Sequence, residues 1–86
     1  MNEGKAVEKS IRKSLRDGFE GVIITAYNSV DGMDVLAPVM MQSAMSDFYQ
    51  SVKSNDSLRL LGSASGINFE EILEEEAQLA YEKYFK

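Results

Sequence analysis

Between Val7 and Val30 the apolar residues return at steps of three and four: Val7, Ile11, Leu15, Phe19, Val22, Ile23, Ala26, Tyr27 and Val30. On a helix these positions share one face, whereas a strand sends alternate residues to opposite sides. Lys5, Glu8, Lys9, Arg12, Lys13, Arg16, Asp17 and Glu20 fall largely off that stripe, so its first half is amphipathic. A helix over residues 5–30 spans ~39 Å, about the width of a small domain, and the remaining chain has to fold back along it. With 86 residues in all, a single domain covering 1–86 is expected, built on a limited core.

Gly18 and Gly21 interrupt this pattern, and each costs ~1 kcal/mol relative to Ala inside a helix. The stripe keeps its phase through both, so one continuous helix is expected. Gly18, near the stripe between Leu15 and Val22, is placed to let another helix approach closely. The rival reading is extended. Val22-Ile-Ile-Thr-Ala-Tyr27 is rich in strand-favouring residues and Asp31-Gly32 is a favoured turn, which gives an α+β alternative with a hairpin at about 22–41. Pro38 would confine the return strand to an edge. Met33, Leu36, Ala37, Met40, Met41, Ala44, Met45, Phe48 and Val52 instead carry the helical spacing onward. The expected fold is all-α: a small antiparallel helical bundle of three main helices plus a short helical turn.

Local signals set the boundaries. Gly32 is expected to end the first helix in the left-handed region, and Asp34 to cap the second. That helix runs to about Val52, where Lys53-Ser-Asn-Asp-Ser57 stops it. Leu58-Arg-Leu-Leu61 reads as a short helical turn ended by Gly62, and Ser63–Gly66 as a loop. The clearest start is Asn68, followed three residues later by Glu71 as in a capping box, with Ile67 and Ile72 at the spacing of a hydrophobic staple. Glu70 and Glu71 at its start, with Lys83 and Lys86 at its end, complement the helix dipole. A helix over 69–85 follows, with Phe69, Ile72, Leu73, Ala77, Ala80, Tyr81 and Tyr84 as its apolar face.

Composition narrows the chemistry. The chain has no Cys and no His, which removes thiolate nucleophiles, disulfides, and the commonest metal ligand and general base. Serines therefore lack a histidine base, no Gly-rich phosphate loop is present, and neither Asp31–Asp34 nor Asn55–Asp56 opens a calcium loop. No catalytic residue, metal site or cofactor is expected, and the chain is not read as an enzyme. Asp56-Ser57-Leu58 resembles the attachment triplet of acyl carrier proteins over three residues only. In that family about half the chain follows the modified serine, whereas 29 residues follow Ser57, so a helix cap explains Asp56 or Ser57 more simply.

The longest apolar runs, Val22–Ile24 and Val35–Met41, fall far short of the ~20 residues of a membrane span. The opening Met-Asn-Glu-Gly-Lys shows no basic segment leading into an apolar one, so a cytoplasmic protein is expected. The net charge of −5 is spread as +1 over residues 1–20, −2 over 21–67 and −4 over 68–86. Such a balance disfavours nucleic acid and anionic lipid. Leu61–Ile67 before a helix has the outline of a helix-turn-helix. The second helix would bring Glu70, Glu71, Glu74, Glu75 and Glu76 to the phosphates, so DNA reading is not expected.

Three features remain as candidate sites. Met40, Met41 and Met45 place adaptable thioethers on one helix, suited to a core or to a partner surface. Glu74, Glu75 and Glu76 extend the acidic run beyond what dipole compensation needs. Lys5, Lys9, Arg12 and Arg16, at steps of four, three and four and flanked by Lys13, form a basic row that either stays solvated, pairs with the acidic last helix, or binds an anion. The expectation is a non-enzymatic protein–protein interaction module, self-associating, acting as a small inhibitor, adaptor or assembly subunit through the Met and Glu residues. The alternative is a binder of an anionic small molecule or nucleotide through Lys9, Arg12, Lys13 and Arg16.

Overall fold

A computed structural model of the chain describes residues 3–30 and 35–86. Four helices follow one another: α1 (Glu3–Ser29), α2 (Ala37–Lys53), α3 (Asp56–Ala64) and α4 (Phe69–Phe85). There is no strand among the described residues, and Val22–Tyr27 lies inside α1. The fold is the all-α bundle, not the α+β alternative. The roles expected of Gly32, Met33 and Asp34 lie outside the described residues.

α1 runs unbroken through Gly18 and Gly21 for 27 residues. α2 folds back along it, as the short connection requires. The Phe48 ring lies on Gly18 so closely that a Cβ there would come 2.2 Å from its Cζ. The same ring meets Phe19 edge-on, centroids 4.9 Å apart at 71°. A glycine at 18 thus makes room for an aromatic from the returning helix. α2 opens behind Leu36, which makes no side-chain cap, and Pro38 sits in the first turn, where a missing N–H breaks no helical bond.

α3 is longer than the turn expected at 58–61. Its cap is Asn55, whose Oδ1 accepts from Leu58 N at 3.1 Å, so neither Asp56 nor Ser57 caps it. Gly62 does not end it. The helix closes in a Schellman motif around Gly66, whose φ of 73° is the left-handed value. Ile67 N donates to Gly62 O at 2.8 Å and Gly66 N to Ser63 O at 3.1 Å. Gly62 is buried instead against Phe69, where a Cβ would stand 3.2 Å from the Phe69 Cβ. α4 starts as its sequence signals require, with Asn68 Oδ1 accepting from Glu71 N at 3.1 Å.

The core joins one face of α1 (Ile11, Leu15, Phe19, Ile23) to Val52 of α2 and Phe69, Ile72, Leu73 and Ala80 of α4. Phe19, Ile23 and Leu73 are fully enclosed. Of the three long helices α2 contributes least: only Ala37 and Val52 are buried along its 17 residues. No helix among the described residues is long and apolar enough to cross a membrane.

Candidate functional site

The last apolar stripe of the chain, Phe69, Ile72, Leu73 and Ala80, carries one carboxylate: Glu76 stands on it and is buried with it. Its side chain is 1% exposed. It persists there because α1 brings two guanidinium groups over it. Arg12 Nη1 donates to Oε2 at 3.2 Å, Arg16 Nε to Oε1 at 3.3 Å and Arg16 Nη2 to Oε2 at 3.4 Å, so both oxygens accept. Arg12 is caged further, donating to Glu75 Oε1 at 2.7 Å and to Glu8 Oε2 at 3.0 Å. The Glu75 bond first, and then the Glu8 bond, raise the Arg12 pKa above its ordinary value. Charge-assisted bonds of this kind are among the stronger ones. The arrangement joins α1 to α4.

Half of the basic row is therefore bound to the acidic last helix. Arg12 and Arg16 hold Glu75 and Glu76, Lys13 pairs with Asp17 along the same helix at 2.8 Å, and Lys9 is exposed and without an ion pair among the described residues. The strip they line, about 600 Å³ with Lys5, Glu8 and Asp17, lies entirely on one helix, and two carboxylates are part of its wall. Glu74, the third member of the acidic run, accepts from the Tyr49 hydroxyl of α2. So Glu74, Glu75 and Glu76 all have partners within the chain, Glu75 and Glu76 sharing Arg12 and Glu74 meeting Tyr49. Met41 and Met45 are half-buried against the core, whereas Met40 is exposed.

A further surface went unread in the sequence. Of the 23 charged side chains, only Asp31 and Asp34 lie between residues 21 and 46. Residues 21–30 and 35–46 of this stretch form the distal half of the α1–α2 hairpin, and their large apolar side chains are not all covered: Ile24, Tyr27, Val35, Leu36, Val39 and Met40 are exposed, Val39 at 62% and Tyr27 at 57%. The signal that reveals it is the gap in charge rather than any apolar period. Both flanks of the hairpin there are greasy, and helices of that kind are normally enclosed.

No three His, Cys, Asp or Glu side chains among the described residues are grouped to hold a metal ion. Every buried side-chain polar atom among them has a hydrogen-bond partner, so none points at a missing ligand. No family model, curated protein or solved structure matches the chain. What it does has to be argued from its own surface.

Proposed function

We propose that the chain is a non-enzymatic protein-interaction module that works as a self-associated assembly. The supporting observation is how little of its surface one copy encloses. It exposes 5839 Å², where a compact monomer of this mass exposes about 5,100 Å². Its radius of gyration is 14.3 Å, against about 12 Å for a compact chain of this length. A small helical domain commonly gains its missing burial from another copy. Inhibitor, adaptor and assembly subunit all remain within this reading, because each acts by covering a surface. The test is the mass in solution, by sedimentation equilibrium, of protein purified without refolding. A dimer or larger species free of bound small molecule supports the reading; a monomer at every micromolar concentration overturns it.

Binding of an anionic small molecule or nucleotide by Lys9, Arg12, Lys13 and Arg16 has less support. Ligand phosphates would have to displace Glu75 and Glu76 from Arg12 and Arg16, which costs the contacts between α1 and α4. Neither inorganic phosphate nor ATP at millimolar levels is expected to raise the melting temperature, whereas a bound ligand would.

A further inference from the structure

We infer that the second copy docks on the distal half of the α1–α2 hairpin, residues 21–30 and 35–46, so that two hairpins complete one four-helix bundle. This inference rests on the self-association reading above and specifies its surface. Three observations lead to it, the third shared with the reading above.

The first is where α4 stops. Lys83 and Tyr84, in the last turn of α4, share a cleft with Arg16 and Glu20 of α1. Tyr27 lies seven residues beyond Glu20, two turns or ~10 Å further along the same side of α1. It is exposed at a level of α1 beyond Glu20, where the last turn of α4 has already been reached. The side of α1 that binds α4 therefore continues, uncovered, past the end of α4.

The second is charge. Outside residues 21–46 the sequence carries 21 charged side chains, with five glutamates on the first two turns of α4 alone. Two copies of a −5 chain meeting through those surfaces would bring carboxylate against carboxylate. Asp31 and Asp34 lie outside the described residues, and the helices of the distal half can be dehydrated without burying a charge. Its uncharged polar residues, among them Thr25, Asn28 and Gln42, are exposed and suit the rim of such an interface. A copy of this chain is a partner that supplies an equally charge-free helix pair. An anionic lipid surface is not, since the acidic total repels it.

The third is area. Taken over the whole chain, the surplus of surface over a compact monomer is about 700 Å², of the same order as the roughly 800 Å² each partner contributes to a standard interface. Packed on a two-fold axis, hairpin on hairpin, the pair has the helix count and short connections of an antiparallel four-helix bundle.

The experiment compares the wild-type chain with a Tyr27→Glu/Val39→Glu double variant and with Leu79→Glu, which alters an exposed apolar residue on α4. Sedimentation equilibrium gives the mass and circular dichroism the helix content. The wild type and L79E are expected to be dimers. The double variant is expected to keep its helicity and self-associate about 100-fold more weakly or not at all. A wild-type monomer overturns the functional reading and the inference together. A dimer that survives Y27E/V39E, or one that L79E abolishes, overturns the inference alone, because association then uses another face. If the double variant unfolds, energy transfer decides. The chain has no cysteine, so Asn28→Cys and Lys5→Cys each accept a single dye. Mixed donor- and acceptor-labelled copies should transfer strongly at position 28 and weakly at position 5; the reverse order refutes the docking surface.

Discussion

Gly18 and Gly21 stand three residues apart on one helix and face opposite surroundings. A methyl group at 18 would sit 2.2 to 3.0 Å from three atoms of the Phe48 ring, which Phe19 holds edge-on from the other side. To make room the half-buried ring has to turn away from Gly18 and give up its edge-on contact with Phe19. Overpacking of about 1–3 kcal/mol then outweighs the ~1 kcal/mol gained in helix propensity. At 21 a Cβ meets nothing within 4 Å. Urea denaturation should therefore find Gly18→Ala destabilised and Gly21→Ala stabilised by about 0.5–1 kcal/mol. Glu76 gives a second contrast. In Glu76→Gln the shape persists, but one acceptor oxygen becomes an NH2 facing guanidinium donors, and the expected loss is about 1–3 kcal/mol. Lys13→Ala removes an ion pair whose side chains are 73% and 60% exposed, and should change stability by no more than about 0.5 kcal/mol. Equal effects at the two sites would mean the buried pair contributes nothing special. The raised Arg12 pKa adds no pH switch: that contribution is complete below the ordinary arginine value and fades only as pH rises through the folded one.

Among the elements, α3 and α4 start by one device, an asparagine accepting from the N–H three residues on. Asn55→Ala and Asn68→Ala should each cost about 1 kcal/mol in urea melts, since each strands a donor of the first turn. Asn68 was legible because its cap, staple and acidic first turn all lie within six residues, Ile67 to Ile72. The ends of α3 were not. Gly62 reads as a stop, yet it is small because Phe69 packs on it, and the left-handed residue comes four positions later at Gly66. A packing glycine and a terminating one look alike until the neighbour across the chain is known. The same limit applies to the candidate site. Pairing between the basic row and the acidic helix follows from charge alone, but which of Glu74, Glu75 and Glu76 goes inside depends on the stripe. Glu76 falls between Leu73 and Ala80 at the spacing of the buried residues, and that phase was the available signal. Tyr27 shows the converse. It keeps the phase of the α1 stripe and is nevertheless exposed, because periodicity shows which face is apolar and not how far the covering helix reaches.

At the scale of the whole molecule, the chain is a slab 49 × 21 × 16 Å, about two helices thick. On the proposal that copies associate, the question of mechanism is whether they meet through apolar surface or through charge. The two routes respond to salt in opposite directions. If the basic row of one copy met the acidic helix of another, added salt would screen the attraction and weaken association. If the charge-free hairpins meet, the principal electrostatic term is repulsion between two chains of net charge −5, and salt relieves it. The Debye length falls from roughly 10 Å at 0.1 M to about 3 Å at 1 M. Within that range the dissociation constant measured by sedimentation should therefore fall as NaCl is raised. The melting temperature should also climb with protein concentration, because association stabilises the folded state by mass action. A dissociation constant that rises with NaCl would return Arg12, Arg16 and the glutamates of α4 to the interface, and would require the intramolecular pairs seen around Glu76 to exchange between copies.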